Sequence, residues 1–324
     1  MPRSRRTPAL LGALLLAHLL IASTSQAQVV SFATLKPGSL YHTMGTVIAK
    51  LITEKTNIRM LVQPYGSGAA GMFAVNQGDA SFVFSDVNDA IFAVGGRGIY
   101  KGRATPNLRL AARIRAVPVG LFVRKNSSIR TMRDFRGKRL PARYPAFPNA
   151  IALINGILAA SGMTYADVVK IPTPSLIPAV NDFMAGKMDA GFFAVSGPKV
   201  AEANQSVGGV RFIPVPNTPS ALAAMRKIRP EYYIQTVQPA PFRPGIVGPT
   251  PLLTFDQVIG VGKDVPDRIV YTVLKTIAEN KKALVAGFKG FGGFIPQRMG
   301  KTFSGLEHHP AAVKLLRDKG YWKN

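Results

Sequence analysis

The sequence predicts an α/β fold made of two lobes that face a common cleft. Residues 59–86 and 168–197 follow the same order of strand, helix and strand. In both, the second strand is continuously apolar, as is typical of parallel strands buried on both faces. A chain of 324 residues is long enough for two packed domains. We therefore expect two mostly parallel sheets, each flanked by helices.

Each element of this repeat has a local signal. The strand runs 60–63 and 168–171 are each followed by a proline-containing turn and a serine at a helix start, Ser67 or Ser175. A glycine then ends each helix, Gly78 or Gly186, as expected for a left-handed C-terminal cap.

The second strand of each repeat ends at a serine, Ser85 or Ser196. Ligands of open α/β sheets gather beyond the carboxyl ends of the strands. We therefore expect these two serines, with Ser67 and Ser175, to approach a shared cleft. The alternative is that Ser67 and Ser175 only cap helices.

The rest of the chain continues the alternation of strands and helices. Asn149 is interpreted as a helix cap, and Pro118 as a residue that interrupts the pairing of two strands or lies at its edge. The expected elements are strands at 108–113, 119–124, 139–140 and 254–262, a short helix and turn at 128–138, helices at 150–160 and 265–286, and a connector with little regular structure at 214–251.

The N-terminus has the features of a secretion signal. Arg3, Arg5 and Arg6 precede an apolar stretch over 9–22, and small residues around Ala27 suit a cleavage site. We predict a signal peptide over 1–27 and a periplasmic protein, with a membrane anchor as the alternative. The chain has no cysteine, so disulfides and thiolate sites are excluded.

The chain is strongly basic, with 41 Lys and Arg against 16 Asp and Glu and a formal net charge of +25. The basic residues are scattered and form no dense tract, which disfavours a nucleic-acid-binding protein. Attraction of small anions, or of a negatively charged membrane surface, accounts for the charge better.

The turn Pro37-Gly38-Ser39 leads directly into a helix. Free N–H groups at the positive end of a helix can hold an anion, and Gly38 allows close approach. Ser39 adds a hydroxyl, Tyr41 lies beside it, and His42 could line the cleft. A helix cap without ligand is the alternative.

Two further segments are candidates for ligand contacts. Gly66, Ser67 and Gly68 form a second glycine-rich helix start of the same kind. Arg143 and Tyr144 lie on a proline-bounded loop, where the guanidinium could grip a carboxylate in a two-pronged fashion. A surface charge is the alternative for Arg143.

The sequence contains no motif that predicts an enzyme. No serine lies in a G-x-S-x-G motif, and Asp86 and Asp89 are interpreted as groups that cap a helix and balance its dipole. His42 is far from the pair His308-His309, and no H-E-x-x-H motif occurs, so we expect no metal and no cofactor.

Several segments, taken in order along the chain, resemble motifs of the TAXI family of solute-binding proteins, which serve TRAP-type secondary transporters. The matching segments, in order along the mature chain, are 38–52 (GSLYHTMGTVIAKLI), Gly66-Ser67, 129–139 (IRTMRDFRGKR), 186–198 (GKMDAGFFAVSGP), 309–312 (HPAA) and Lys319-Gly320.

The resemblance implies a type II periplasmic binding protein fold, whose two lobes close over a small carboxylate. It places Gly38, Ser39, Tyr41, Gly66 and Ser67 at the cleft in the first lobe. In the second lobe it places Ser196 and Gly197 there. Together with the candidates above, the expected ligand-binding residues are Gly38, Ser39, Tyr41, His42, Gly66, Ser67, Gly68, Ser85, Arg143, Tyr144, Ser196 and Gly197.

The resulting expectation is a monomeric, non-enzymatic receptor that delivers a carboxylate to a TRAP-type transporter. We expect residues 28–120 in lobe I, 121–235 in lobe II, and 236–324 as a connector and the remainder of lobe I. An ABC-importer binding protein, a secreted ligand sensor or adaptor, and a secreted enzyme are the alternatives.

Overall fold

The computed structural model describes residues 28–322, so the expected signal peptide lies outside the described residues. One mixed sheet of eight strands has the order β2-β1-β3-β10-β4-β7, with β8 beside β4 and β9 beside β10, and β5 and β6 form a separate pair. The strands are β1 Gln28–Leu35, β2 Ile58–Tyr65, β3 Phe82–Asp86, β4 Leu108–Arg124, β5 Arg139–Arg143, β6 Val169–Thr173, β7 Gly191–Ala194, β8 Val210–Phe212, β9 Tyr233–Val237 and β10 Thr250–Gly262.

Helices connect most of these strands and cover the sheet. They are α1 Leu40–Lys55, α2 Gly68–Gln77, α3 Val87–Val94, α4 Asn149–Ala159, α5 Leu176–Met184, α6 Pro198–Ser206, α7 Pro219–Ile228, α8 Asp267–Glu279, α9 Lys281–Gly287 and α10 Pro310–Asp318. In the described part of the chain, no helix has the length and apolar character needed to cross a membrane.

Parallel strands form the centre of each lobe. In lobe I, β1 pairs with both β2 and β3, and in lobe II β5 pairs with β6. The helices that follow β2 and β6 end at Gly78 and Gly186, both with positive φ, as predicted. The carboxyl ends of the lobe I strands therefore meet the starts of α1, α2 and α3 at one edge of the sheet.

Two long strands, β4 and β10, run through both lobes. Their antiparallel register joins Gly262 to Leu108 at one end and Leu253 to Val119 at the other. These strands make the sheet mixed, while the predicted α/β fold with two lobes is confirmed. Both strands therefore connect one lobe to the other.

Pro118 does not break β4, contrary to the sequence-based expectation. Proline lacks the N–H donor and has a fixed φ, but the Pro118 carbonyl still accepts a hydrogen bond from the Val195 N–H at 3.1 Å. The strand is therefore continuous from Leu108 to Arg124.

A buried charged cluster holds the two long strands together. Arg113 of β4 donates two hydrogen bonds to Asp256 of β10, from Nε at 3.0 Å and from its terminal nitrogen at 2.7 Å. Lys301 donates to the other oxygen of Asp256 at 2.7 Å, and the Tyr233 hydroxyl lies 3.1 Å from the first. Burial opposes ionisation of Asp256. The charges and hydrogen bonds of Arg113 and Lys301 together outweigh burial, so the pKa of the Asp256 carboxyl is lowered.

Two other expectations about the local structure were wrong. The helix expected over 265–286 is divided at Asn280, whose backbone leaves the helical region with φ −116° and ψ 34°. The expected irregular connector contains α7 and β9. Tertiary pairing explains β9, because Tyr233 to Val237 complete the edge of β10 and so satisfy its backbone hydrogen bonds.

Candidate functional site

A cavity of about 60 Å³ lies where the two lobes meet, at the carboxyl ends of the lobe I strands. Its small size restricts an enclosed ligand to a small molecule. The lining residues are Leu35, Ser39, Leu40, Tyr41, Gly68, Ser85, Asp86, Asp89, Val117, Val119, Phe147, Asn149, Leu153, Leu176, Phe192, Phe193, Ala194 and Phe255.

Most polar residues of the cavity lining come from lobe I, while apolar residues come from both lobes. The polar wall comes from lobe I and comprises Ser39, Tyr41, Ser85, Asp86 and Asp89. The lobe II residues Phe147, Leu176, Phe192, Phe193 and Ala194 form what we call the apolar wall, and lobe I adds further apolar residues such as Leu35 and Leu40. Asn149 is the polar residue that lobe II adds to the lining.

Several helices begin at the cavity. The first residues of α1, α2, α4 and α5 all line it: Leu40, Gly68, Asn149 and Leu176. The first N–H groups of a helix have no partner within the helix, and the helix dipole places positive potential there. The cavity therefore receives positive backbone ends from both lobes.

Two buried carboxyl groups lie at the start of α3. Asp86 caps this helix, since its Oδ1 accepts from the Asn88 N–H at 2.9 Å, which confirms the capping interpretation for Asp86. Burial, together with the charge of Asp89, raises the pKa of Asp86 to about 7. Burial also raises the pKa of Asp89 to about 6, against the smaller opposing effects of Tyr100 and Arg229. Near neutral pH each carboxyl is therefore present in both its protonated and its ionised form.

The hydroxyl groups of the polar wall are partly engaged within the protein. Ser39 caps α1, because its Oγ accepts from the His42 N–H at 3.1 Å, and this leaves the hydroxyl proton free to donate. The Ser85 hydroxyl donates to the Asp86 carbonyl at 2.9 Å. Burial, reinforced by the charges of Asp86 and Asp89, raises the pKa of Tyr41, so its hydroxyl remains a donor.

The structure brings four of the sequence-predicted site residues into the cavity lining: Ser39, Tyr41, Gly68 and Ser85. Their role as ligand contacts stays a prediction. The neighbouring candidates lie just outside. Gly38 is exposed with φ +86°, and a Cβ there would lie 3.3 Å from Ile177 of the opposite lobe. The predicted turn thus touches the partner lobe.

The other lobe I candidates have structural contacts of their own. His42 Nδ1 lies 3.2 Å from the Thr34 hydroxyl. Ser67 caps α2 by accepting from the Ala70 N–H at 3.1 Å, and Gly66 is exposed.

The lobe II candidates also lie outside the cavity lining. Arg143 and Tyr144 both have positive φ; the Arg143 side chain is exposed, and the Tyr144 ring is buried. Ser196 is half-buried. Gly197 is buried, and a Cβ there would come within 2.5 Å of the Phe193 ring, so close packing requires glycine at this position.

Sequence reasoning missed three polar residues of the lining, Asp86, Asp89 and Asn149. The proposed cap at Asn149 is wrong: Pro148 is the cap residue, Asn149 is the first helical residue, and its side-chain oxygen has no hydrogen-bond partner. One signal was available for the carboxyls. Asp86 ends a buried strand and Asp89 follows three residues later, in a chain with only 16 acidic residues. No cluster of metal-ligating side chains occurs within residues 28–322.

Solved structures of similar architecture define the class of this fold. A protein described as a periplasmic transporter superposes with a TM-score of 0.58 at 12% identity, covering 91% of this chain and 95% of that chain. The alkanesulfonate-binding protein SsuA from Xanthomonas axonopodis pv. citri gives 0.53 at 14% identity, covering 91% and 94%. The ligand-binding component of an ABC-type import system from Staphylococcus aureus gives 0.52 at 10% identity, covering 91% and 93%. The fold is that of periplasmic binding proteins.

The family follows from the sequence model that matches this chain. Residues 32–320 match the model of the NMT1-like family, which covers nearly all of the described residues. The chain belongs to the NMT1-like family.

Proposed function

We propose that this protein is an extracytoplasmic receptor that traps a small solute between its lobes and presents the closed form to a membrane transporter. One observation carries the proposal: the cavity between the lobes receives helix starts from both of them. A ligand that contacts both walls binds the closed form best and so shifts the lobes towards closure. Such a receptor needs no covalent chemistry, and a bound compound leaves it unchanged.

The carboxylate ligand implied by the TAXI resemblance has one structural argument in its favour. The helix starts at Leu40, Gly68, Asn149 and Leu176 offer N–H groups suited to an anionic group. A carboxylate held there would rely on backbone donors and on the Ser39 and Tyr41 hydroxyls, because the Arg143 guanidinium is exposed outside the lining.

The partner in this proposal is the membrane subunit of a TRAP-type transporter, which rests on the resemblance of the motifs. An ABC importer is an equally suitable partner, because one structural neighbour is a component of an ABC-type import system. A ligand-dependent pull-down with the membrane subunits of each transporter type distinguishes them, and recovery of a signalling protein instead would favour the sensor alternative. Secretion predicts that the mature protein in the periplasmic fraction begins at Gln28.

Native mass spectrometry with a cavity-filling variant tests trapping. Ala194 is half-buried and lines the cavity, so Ala194→Trp should fill the space that a ligand needs. We expect the unmodified protein to retain a small molecule through purification and the variant to lose it. Ala223→Trp places the same side chain on an exposed position of α7 and should retain the molecule. Equal occupancy in both variants, or no bound molecule in the unmodified protein, contradicts the proposal.

A further inference from the structure

We infer that the ligand carries a hydrogen-bond-donating nitrogen, an amine or ammonium group, which Asp86 and Asp89 receive while an apolar body packs against the apolar wall. This inference rests on the proposed solute-binding function and names the ligand chemistry of the same cavity.

Each of the two carboxyls keeps an oxygen without a hydrogen-bond partner. Asp86 uses Oδ1 to cap α3, whereas its Oδ2 is unpartnered. Asp89 Oδ1 has no hydrogen-bond partner either, although the Tyr100 hydroxyl lies near enough to lower the pKa of this carboxyl. Both side chains line the cavity, and both residues are only 3% exposed. Buried acceptors of this kind are normally satisfied, so two on one helical turn beside a cavity indicate a missing donor.

Lobe II supplies a third acceptor to the same cavity. Asn149 is 9% exposed, lines the cavity, and has no partner for its side-chain oxygen. A primary amine or ammonium carries up to three donors. A nitrogen group could therefore hydrogen-bond to both lobes at once, which is the property required of a ligand that stabilises closure.

No basic side chain lines the cavity, and within residues 28–322 neither carboxyl forms an ion pair. Two arginines lie near the cavity, and the charge of one of them, Arg229, lowers the pKa of both carboxyls against the larger effect of burial. The Arg115 guanidinium donates to the Gly290 carbonyl at 2.6 Å, and that of Arg229 stacks 3.6 Å from the Phe92 ring centre. Because neither guanidinium forms an ion pair with Asp86 or Asp89, a ligand nitrogen could contact these carboxyls directly.

The space beside the carboxyls constrains the rest of the ligand. Gly68 faces Asp89, because a Cβ at Gly68 would lie 3.8 Å from Asp89 Oδ2. On the other side the apolar wall presents three phenylalanine rings, Leu176 and Ala194. A branched aliphatic or phenyl group suits such a surface, whereas a second charged end would need the helix starts. The fitting ligand is a small apolar amine, or an amino acid with an apolar side chain.

Matched ligand series test this chemistry. One series is isobutylamine, valine and isovalerate, and the other is phenethylamine, phenylalanine and 3-phenylpropionate. In each series the carboxylate lacks the nitrogen and shares the apolar body. Isothermal titration of the mature protein should give at least tenfold tighter binding for a nitrogen-bearing member than for the carboxylate. Equal or tighter binding of the carboxylate overturns the inference, and so does the absence of binding by every member.

The variant Asp89→Asn tests the proposed contact at nearly constant volume. We expect it to weaken binding of the nitrogen-bearing compound at least tenfold while circular dichroism shows an intact fold. Asp79→Asn makes the same change at an exposed site away from the cavity and should leave binding unchanged. Unchanged affinity in Asp89→Asn overturns the inference. If a trapped molecule without any nitrogen donor is recovered, the inference fails while the receptor function stands.

Discussion

The two strand–helix–strand repeats have the same architecture but supply opposite kinds of surface to the cavity. The first repeat contributes Gly68, Ser85 and Asp86, while the second contributes Leu176, Phe192, Phe193 and Ala194. The helix starts differ too: Ser67 caps its helix, whereas Ser175 makes no side-chain hydrogen bond. Equivalent positions in a repeated fold can therefore present different surfaces, here a polar one in the first repeat and an apolar one in the second.

The largest change in the free energy of unfolding should come from truncating a side chain of the apolar wall. Phe192 is fully buried between the lobe II core and the cavity, so Phe192→Ala removes its packing and enlarges the cavity. We expect a loss of about 3–5 kcal/mol in the free energy of unfolding, measured by urea titration. Phe192→Leu keeps most of the volume and should cost less than half as much. Equal losses in the two variants would show that packing of the ring is not the cause.

A substitution in the polar wall should instead raise the free energy of unfolding. The pKa of Asp89 is about 6 in the fold against 3.8 for an ordinary aspartate, so its ionised form opposes folding. That penalty is absent well below pH 4, grows as the pH rises, and is complete above about pH 7. Asp89→Asn should therefore stabilise the ligand-free protein by about 2–3 kcal/mol at pH 8 and by roughly half as much at pH 5.

Urea titrations of both proteins at the two pH values measure this difference. Comparison of the variant with the unmodified protein removes the opposing contribution of His308 and His309, whose pKa values burial lowers. A stabilisation that is the same at pH 5 and pH 8 would exclude ionisation of Asp89 as its origin. Stabilisation together with weaker ligand binding would show that this carboxyl is retained for recognition at a cost in stability.

The smallest change in the free energy of unfolding is expected at the two helix-start serines, Ser67 and Ser175, and it should differ between them. Ser67→Ala removes the hydrogen bond to the Ala70 N–H and should cost about 1 kcal/mol in the free energy of unfolding. Ser175→Ala removes no capping hydrogen bond and should change stability by less than about 0.5 kcal/mol. Equal costs at the two sites, in parallel thermal or urea denaturation, would mean that the capping difference has no energetic consequence.

Local signals predicted the repeated elements well because each depends on nearby residues. The positive φ at Gly78 and Gly186, the apolar strands and the start of α2 after Ser67 all follow from turn and capping chemistry. Prediction failed where distant contacts decide the outcome. Pro118 stays within a strand because Val195 donates to its carbonyl, and β9 forms because β10 offers a free edge.

The candidate site was predicted in part for the same reason. Ser39, Tyr41, Gly68 and Ser85 follow recognisable strand or turn signals, and they do line the cavity. Asp86 and Asn149 were interpreted only as caps, because a cap and a cavity residue have the same local sequence. Arg143 was chosen for its charge, and the positive φ of its loop accompanies an exposed side chain.

By itself the sequence determined the α/β architecture, the two lobes and the strand–helix junctions at which a ligand could bind, since these depend on periodicity and on residues a few positions apart. Only the tertiary structure decided which side chains share one enclosed space. Asp86 and Asp89 acquire raised pKa values because the packed lobes exclude water from them, and this desolvation comes from residues far away in the chain.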